Sequence, residues 1–353
     1  MDETAPLDTA RLLDVLRQIR DPRGNGDIVA AGRVDGLGLR DGVVSLSLMA
    51  NRAEREAMEE LAAQARKLLE SQAGVKRASV VLTAERAPAP PHDHAPQGKP
   101  KLLANMKAVI AVASGKGGVG KSTTAVNLAV ALQGLGLKVG LLDADIYGPS
   151  LPRLLGSDRK PEIRGDRIQP VMAWGMPSMS IGYMVNPDEA LIWRGPMVMG
   201  ALEQMMGQVD WPDLDVLVVD MPPGTGDVQL TMAQRVNLFG AVIVSTPQDI
   251  ALIDARRGVR MFEKTGVPVL GLIENMSMFC CPNCGHVTEL FGHGGARREA
   301  GALGVPFLGE VPLLALIRSK SDAGTPVAAD VNSPEAGFYI EIAKKLVAGG
   351  LGK

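Results

Sequence analysis

Gly115-Lys116-Gly117-Gly118-Val119-Gly120-Lys121-Ser122 has the Gly-x-x-x-x-Gly-Lys-Ser spacing of a phosphate-binding loop, with a second lysine near its start. Glycines at those positions let backbone N–H groups close around phosphate oxygens, which a side chain at each position would prevent. Lys121 is placed to bridge the terminal phosphates, and the Ser122 hydroxyl to ligate magnesium. The nucleotide-binding stretch expected from this spacing is Gly115, Lys116, Gly117, Gly118, Val119, Gly120, Lys121, Ser122 and Thr123. An ordinary glycine turn is the plainer alternative. The apolar run Ala108 to Ala113 before it reads as a buried strand and Thr123 to Leu135 after it as a helix, which is the context that phosphate binding requires.

Carboxylates stand at the ends of two further apolar runs. Leu141-Leu142-Asp143-Ala144-Asp145 puts two of them at a strand end, where one can handle water or magnesium. Val216-Leu217-Val218-Val219-Asp220 is a buried-strand pattern ending in a single carboxylate, the arrangement expected of a magnesium ligand, commonly reached through water. Met221-Pro222-Pro223-Gly224-Thr225-Gly226-Asp227 then reads as a switch loop facing a γ-phosphate, with Asp227 either part of that switch or an N-cap for the helix Val228 to Val236. Asn275, after the strand Val269 to Ile273, could read an adenine edge through its amide or satisfy local backbone groups in a turn. Thr246-Pro247-Gln248 follows another strand and could line a nucleotide or a dimer surface.

The three cysteines all lie between Cys280 and Cys284. Cys281-Pro282-Asn283-Cys284 supplies two thiolates where zinc or an iron-sulfur cluster takes four ligands. A two-fold axis beside the motif would bring four sulfurs together from two chains. Redox exchange of the thioredoxin kind is the competing chemistry for this spacing. Neighbouring Cys280 is read as an accessory thiol and His286 as a surface residue.

These groups must be positioned by a frame, and the frame is legible. The chain has 353 residues, 46% of them hydrophobic and 22% charged, as in ordinary globular proteins, and is long enough for two domains. A net charge of -2 with 3% aromatics supplies neither the basic field nor the stacking platforms of nucleic-acid binding, so no nucleic-acid partner is expected. Met1-Asp2-Glu3-Thr4 is acidic and no run has the length of a membrane span, so a cytoplasmic protein without stable membrane association is expected. Arg86 to Pro100 is proline-rich and reads as an extended linker, with His92 and His94 as bystanders. The expected domains are 1–85, a linker over 86–104, and 105–353.

Before the linker, Leu7 to Ile19 and Ala53 to Leu69 have helical spacing, while Ile28 to Val34, Val43 to Met49 and Val75 to Thr83 read as strands, giving a small α/β domain. After it, Val109 to Ala113, Lys138 to Asp143, Val216 to Asp220, Ala241 to Ser245 and Val269 to Ile273 alternate with helical patterns. The fold class is therefore α/β, a mostly parallel sheet covered by helices, with ligands at the C-terminal ends of its strands. Gly156 to Pro196 is irregular by pattern, and neither Asp188 nor Glu189 within it gains a catalytic role. Met172 to Met184 and Met197 to Met206 read as either an adaptable client surface or core. Phe338 to Leu346 has one apolar face, which suits a helix covering the domain better than one lying on a membrane.

GKGGVGKS, with Lys116 in it, resembles the signature loop of the MinD/ParA superfamily of P-loop NTPases. That resemblance implies an ATP-sandwich homodimer in which Lys116 reaches the partner's nucleotide, Asp145 orients the attacking water and Asn275 reads adenine. Together with DADIYGPS from Asp143 to Ser150, MPPGTGD, TPQ and ENMSMFCCPNCG from Glu274 to Gly285, the chain over residues 105 to 350 is similar to the Mrp/ApbC-type iron-sulfur cluster carriers. This implies ATP and Mg2+ as cofactors, with Lys116, Lys121 and Asp145 serving hydrolysis and Ser122 and Asp220 serving magnesium. It also implies an iron-sulfur cluster, commonly 4Fe-4S, held between subunits by Cys281 and Cys284 and exchanged with scaffold proteins and apo-proteins. The N-terminal segment resembles a small domain associated with iron-sulfur assembly. Members often carry a Thr-x-x-x-Cys-Pro stretch there, whereas this chain reads Leu48-Met49-Ala50-Asn51-Arg52-Ala53-Glu54, without cysteine, so partner contact is the expected role. A MinD/ParA-like positioning ATPase and a zinc-clamped client-targeting ATPase are the rival readings.

Overall fold

The computed structural model describes residues 9–22, 26–40, 43–50, 55–84, 102–103, 106–185 and 195–352. The stretch Arg86 to Pro100 with its two histidines, Asn51 to Glu54, Met1 to Thr4, and Asp188 with Glu189 lie outside the described residues. The chain folds as two compact units, Met1–Pro96 and Gln97–Lys353.

In the first unit, helices α1 (Thr9–Leu16) and α2 (Arg55–Glu70) accompany strands β1 (Val34–Arg40), β2 (Val43–Ala50) and β3 (Arg77–Ala84). β1 and β2 pair antiparallel; β2 and β3 pair parallel, with α2 as the crossover between them. Leu12, Leu16, Leu46, Leu48, Met58 and Leu69 close the core. Ile28 to Val34 is not a strand. Asp27 Oδ1 accepts the N–H groups of Val29 and Ala30 at 3.0 and 2.8 Å, and the Ala31 N–H reaches the Asp27 carbonyl, so the aspartate closes a turn that competes with extension. Gly32, at φ +68°, continues the turn and the strand starts only at Val34. Arg33 Nε and Asp21 Oδ1, 2.8 Å apart and both buried, tie that turn to the segment following the first helix.

The second unit comprises β4 (Val109–Ala113), α3 (Lys121–Gly134), β5 (Val139–Asp143), α4 (Leu151–Leu155), β6 (Ile163–Arg164), β7 (Arg167–Ile168), β8 (Val171–Ala173), β9 (Met176–Met179), α5 (Gly195–Gly207), β10 (Val216–Asp220), α6 (Asp227–Arg235), β11 (Gly240–Ser245), α7 (Asp249–Lys264), β12 (Val269–Cys280), β13 (Val287–Thr288), α8 (Gly295–Leu303), β14 (Phe307–Leu313), α9 (Ala315–Asp322) and α10 (Pro334–Ala348). Nine strands form one sheet in the order β13-β12-β11-β4-β10-β5-β9-β8, with β14 also on β12. β4, β5, β9, β10, β11, β12 and β14 are joined by parallel pairings; β8 and β13 join antiparallel at the edges. β4, β5, β10 and β11 are buried along their whole length, as continuous Val/Ile/Leu runs in a sheet covered on both faces must be. One core layer packs α7 and α8 residues such as Phe262 and Ala296 on one face, and the other packs α3 and α10 residues such as Leu128 and Tyr339.

The irregular stretch after α4 supplies the β8–β9 hairpin to the sheet edge, where Met176 and Met179 are buried. Met205 and Met206 are also core, whereas Met172, Met184 and Met197 are exposed, so the methionines divide between core and surface. α10 covers the domain: Tyr339, Ile342, Ala343 and Leu346 are buried and Lys345 Nζ donates to the Leu308 carbonyl at 2.7 Å. Among the described residues no helix is long and apolar enough to cross a membrane.

Candidate functional site

β4 ends at Ala113 and α3 begins at Lys121, and the glycine loop between them lies beside the ends of β5 and β10. Two of its glycines are required by close approaches. A Cβ at Gly115 would run into the backbone of Asp254 on α7. At Gly120, φ is +82° and a Cβ would strike the Asn275 amide. Asn275 Nδ2 donates to the Val119 carbonyl at 2.8 Å, tying β12 to the loop. Ser114, Lys116, Lys121, Ser122, Asp145, Ser150 and Pro223 border a cleft of about 280 Å³ over the start of α3.

Lys121 is buried in that cleft. Its Nζ is 2.6 Å from Asp220 Oδ1, 3.2 Å from Ser122 Oγ and 3.9 Å from Asp145 Oδ2. Asp220 is fully buried; among the described residues its Oδ2 has no partner within hydrogen-bond distance, although the nearby Ser122 hydroxyl helps to lower its carboxyl. An acceptor left free beside the Ser122 hydroxyl fits a hydrated magnesium ion, whose waters donate to carboxylates. Burial pushes the Asp220 carboxyl above its ordinary value, against the pull of the Lys121 charge.

Asp143 has a different task from Asp145. Its carboxylate accepts the N–H groups of Asp145 at 3.1 Å, Ser150 at 3.1 Å and Leu151 at 3.3 Å, together with the Ser180 hydroxyl at 2.9 Å. It therefore anchors both ends of the Asp145–Ser150 loop. Burial, then the neighbouring Asp220 charge, pushes it up to about 7. Asp145 is only partly buried; desolvation raises its carboxyl, while one oxygen accepts the Gly148 N–H at 3.3 Å.

The second glycine loop runs back under the first. Met221 N–H donates to the Val112 carbonyl at 3.0 Å and Gly224 N–H to the Ser114 carbonyl at 2.9 Å. Gly224, at φ +97°, is the turn that allows this. Gly226, not Asp227, is the N-cap of α6; Asp227 is the first helical residue, where its charge faces the positive end of the helix. Lys116 Nζ approaches Gln248 Oε1 at 3.4 Å, which also lies 3.3 Å from Thr246 Oγ1. Across Pro247 from this loop come Gly292 and Gly295, where a Cβ would touch that proline. Gln248 and Pro247 thus lie between Lys116 and the chain segment following the cysteines.

β12 is longer than its sequence pattern suggests. Met276, at φ +58°, interrupts the register with β14, and the strand then continues to Cys280, paired there with β13. The cysteines occupy the hairpin between them: Cys281 N–H donates to the His286 carbonyl and Gly285 N–H to the Cys281 carbonyl, both at 2.9 Å. The N–H groups of Cys284 and then Asn283, with the Cys284 side chain, hold the Cys281 thiol below its ordinary value. All three thiols are free, with Cys284 exposed, and Cys280 Sγ turns to the Gly285 carbonyl at 3.6 Å. A loop whose N–H groups converge on a thiolate is suited to holding a soft metal centre. The other group of metal-capable side chains among the described residues, Glu274, His293 and Glu310, is engaged internally. Glu274 caps α8 through Gly294 and Ala296 N–H, and His293 meets Glu310 at 3.2 Å.

Residue spacing did not expose Asp143 as the anchor of a loop, Gln248 as the partner of Lys116, or Ser150 in the cleft wall. Their partners are distant in sequence or are backbone groups.

A strand, a glycine loop and a helix at the carboxyl end of a parallel sheet, with a buried lysine–aspartate pair, define a P-loop nucleotide-binding protein. Residues 105–347 match the family model described as the NUBPL iron-transfer P-loop NTPase, and the chain belongs to that family. Residues 9–80 match a second model, iron-sulfur cluster assembly protein. Over 248 residues the chain is 55% identical to the iron-sulfur cluster carrier protein of Salmonella typhimurium, covering 69% of this chain and 67% of that one. Among solved structures it resembles a nucleotide-binding protein of Archaeoglobus fulgidus in complex with ADP, with TM-score 0.59 and 39% identity over 67% of this chain and 93% of that one. The cell division ATPase MinD of Pyrococcus furiosus shares the fold, with TM-score 0.51 and 22% identity over 69% of this chain and all of that one.

Proposed function

We propose that this protein is an ATP-hydrolysing iron-sulfur cluster carrier that works as a homodimer, holds its cluster on Cys281 and Cys284 of both chains, and delivers it to apo-proteins. The observation that carries this reading is the cysteine hairpin: two free thiols per chain, one of them acidified by N–H groups of its own turn. A second copy completes four sulfurs. Ile250 and Ile253 on α7, and Leu290 and Phe291 after the hairpin, are exposed apolar side chains that suit contact with that copy. The carrier name of the Salmonella relative agrees with this assignment.

In this reading Gly115 through Thr123 wrap the phosphates of ATP, Lys121 leaves Asp220 for the β- and γ-phosphates, and Ser122 and Asp220 hold Mg2+, which offsets phosphate charge. Asp145 orients the attacking water, and Lys116 exchanges Gln248 for the partner's nucleotide. Asn275 keeps its amide N–H on Val119 and has its carbonyl oxygen free for adenine. The Lys116–Gln248 contact and the close approach of Gly295 to Pro247 are the elements through which, in this reading, nucleotide state is passed toward the segment after the cysteine hairpin. Residues 1–85, joined through 86–104 to the ATPase domain 105–353, recruit scaffold proteins or clients.

The test is transfer. Protein loaded anaerobically and freed of excess iron is mixed with an apo-enzyme that needs a 4Fe-4S cluster, in the presence of an iron chelator. Reactivation that survives the chelator and responds to ATP is expected; reactivation no better than that by free iron and sulfide contradicts the carrier role.

A further inference from the structure

Ser150 occupies the N-cap position of α4, where a serine normally turns its hydroxyl back onto the N–H groups of the first turn. Here it makes no such bond. Pro152, the second helical residue, has no N–H to offer that hydroxyl, and Asp143 Oδ2 accepts the Ser150 and Leu151 N–H groups. The serine Oγ is buried and, among the described residues, has no hydrogen-bond partner. An unpaired buried hydroxyl is costly, and a partner that arrives with the ligand accounts for its presence. Ser150 borders the nucleotide cleft together with Lys121 and Asp145. The Asp145 and Ser150 N–H groups hang from the two oxygens of the Asp143 carboxylate, and both residues line the cleft.

We infer that the Ser150 hydroxyl is a second holder of the water that attacks the γ-phosphate, an inference that rests on the ATPase reading above. With the serine side chain turned from its buried position toward the cleft, the water donates one hydrogen to Asp145 and the other to Ser150 Oγ, while the serine donates its own hydrogen to a γ-phosphate oxygen. The water oxygen then forms a bond to phosphorus as the bond to the bridging oxygen breaks. ADP departs with that electron pair, and the water's proton passes to the phosphate product. Ser150 emerges unchanged, having fixed the direction of the water's lone pair.

Steady-state ATP hydrolysis, ADP affinity and urea unfolding of Ser150→Ala and Ser150→Thr, beside wild type and Lys121→Met, test this. The account expects kcat of Ser150→Ala to fall roughly 100-fold, with ADP affinity unchanged and stability equal to or above wild type, because the orphan hydroxyl is gone. Ser150→Thr, which keeps the hydroxyl, should regain most of the rate. Wild-type kcat in Ser150→Ala would overturn the inference, as would loss of rate accompanied by loss of ADP affinity and stability, which is the signature of a scaffold residue. Wild type no more active than Lys121→Met would instead bring down the ATPase reading itself.

Discussion

Lys121 Nζ and Asp220 Oδ1, 2.6 Å apart and both buried, form an ion pair at the base of the nucleotide cleft. The lysine neutralises the buried aspartate, and in the function proposed above phosphates compete for it. Breaking a buried pair by removing one partner leaves the other charge unpaired, at a cost of about 3–5 kcal/mol. Lys121→Met should therefore lower the unfolding free energy of the nucleotide-free ATPase domain by about 3 kcal/mol and abolish ATP binding. Adding Asp220→Asn to it should restore part of the stability and none of the binding. Urea unfolding with nucleotide titration reads both; a Lys121→Met protein as stable as wild type would contradict the pairing.

Asp143 gives a pH dependence of definite sign. Its carboxyl is raised from 3.8 to about 7 in the folded chain, so between those values the folded state holds a proton that the unfolded state has released. Its stabilising contribution is complete below the unfolded value and is lost as pH rises through the folded one. The stability of the nucleotide-free protein should accordingly decline toward neutral pH, and Asp143→Asn, although less stable, should show a flatter profile. An unaltered slope in that variant would count against the assignment.

Among the described residues Lys116 is held by a 3.4 Å contact to Gln248, which a nucleotide could readily displace. Lys116→Ala should bind ADP as wild type does and fail to dimerise with ATP, whereas Gln248→Ala should still dimerise. Light scattering with each nucleotide distinguishes them; an ATP-dependent dimer of Lys116→Ala would remove the trans role proposed for this lysine.

The Cys281 thiol, held below its ordinary 9.0 by the Cys284 and Asn283 N–H groups, should titrate below the range of an ordinary thiol. Ultraviolet thiolate absorption of the metal-free protein should show a low-pH step that disappears in Cys281→Ala. In Cys284→Ala, which loses the neighbouring side chain but keeps the backbone N–H, the step should move upward without vanishing. A step that persists in Cys281→Ala would assign it to another thiol.

What the sequence made legible follows from range. Val109 to Ala113 and Val216 to Asp220 are continuous apolar runs whose burial on both sheet faces is written locally, and the glycine loop between a strand and a helix is equally local. Asp143 meets Ser180, 37 positions away, and Lys116 meets Gln248, 132 positions away, so neither relationship leaves a pattern in any window of the chain. Ile28 to Val34 misleads because its apolar composition is extended in type while Asp27, one residue earlier, captures the backbone into a turn. The β8–β9 hairpin is hidden by its shortness and by proline and methionine at a sheet edge, where partner strands rather than propensity decide. Cys281 is visible from spacing as a candidate ligand, whereas the N–H groups that acidify it belong to the turn.

The most direct measurement is anaerobic iron-sulfur reconstitution of the wild type and of Cys281→Ala/Cys284→Ala, reading iron, sulfide, zinc, visible absorption and mass. About four iron and four sulfide per dimer, with both the cluster and its absorption lost in the variant, is the predicted result; colourless zinc-loaded protein, or iron content unchanged by the substitutions, would contradict a cluster carried between Cys281 and Cys284 of two chains.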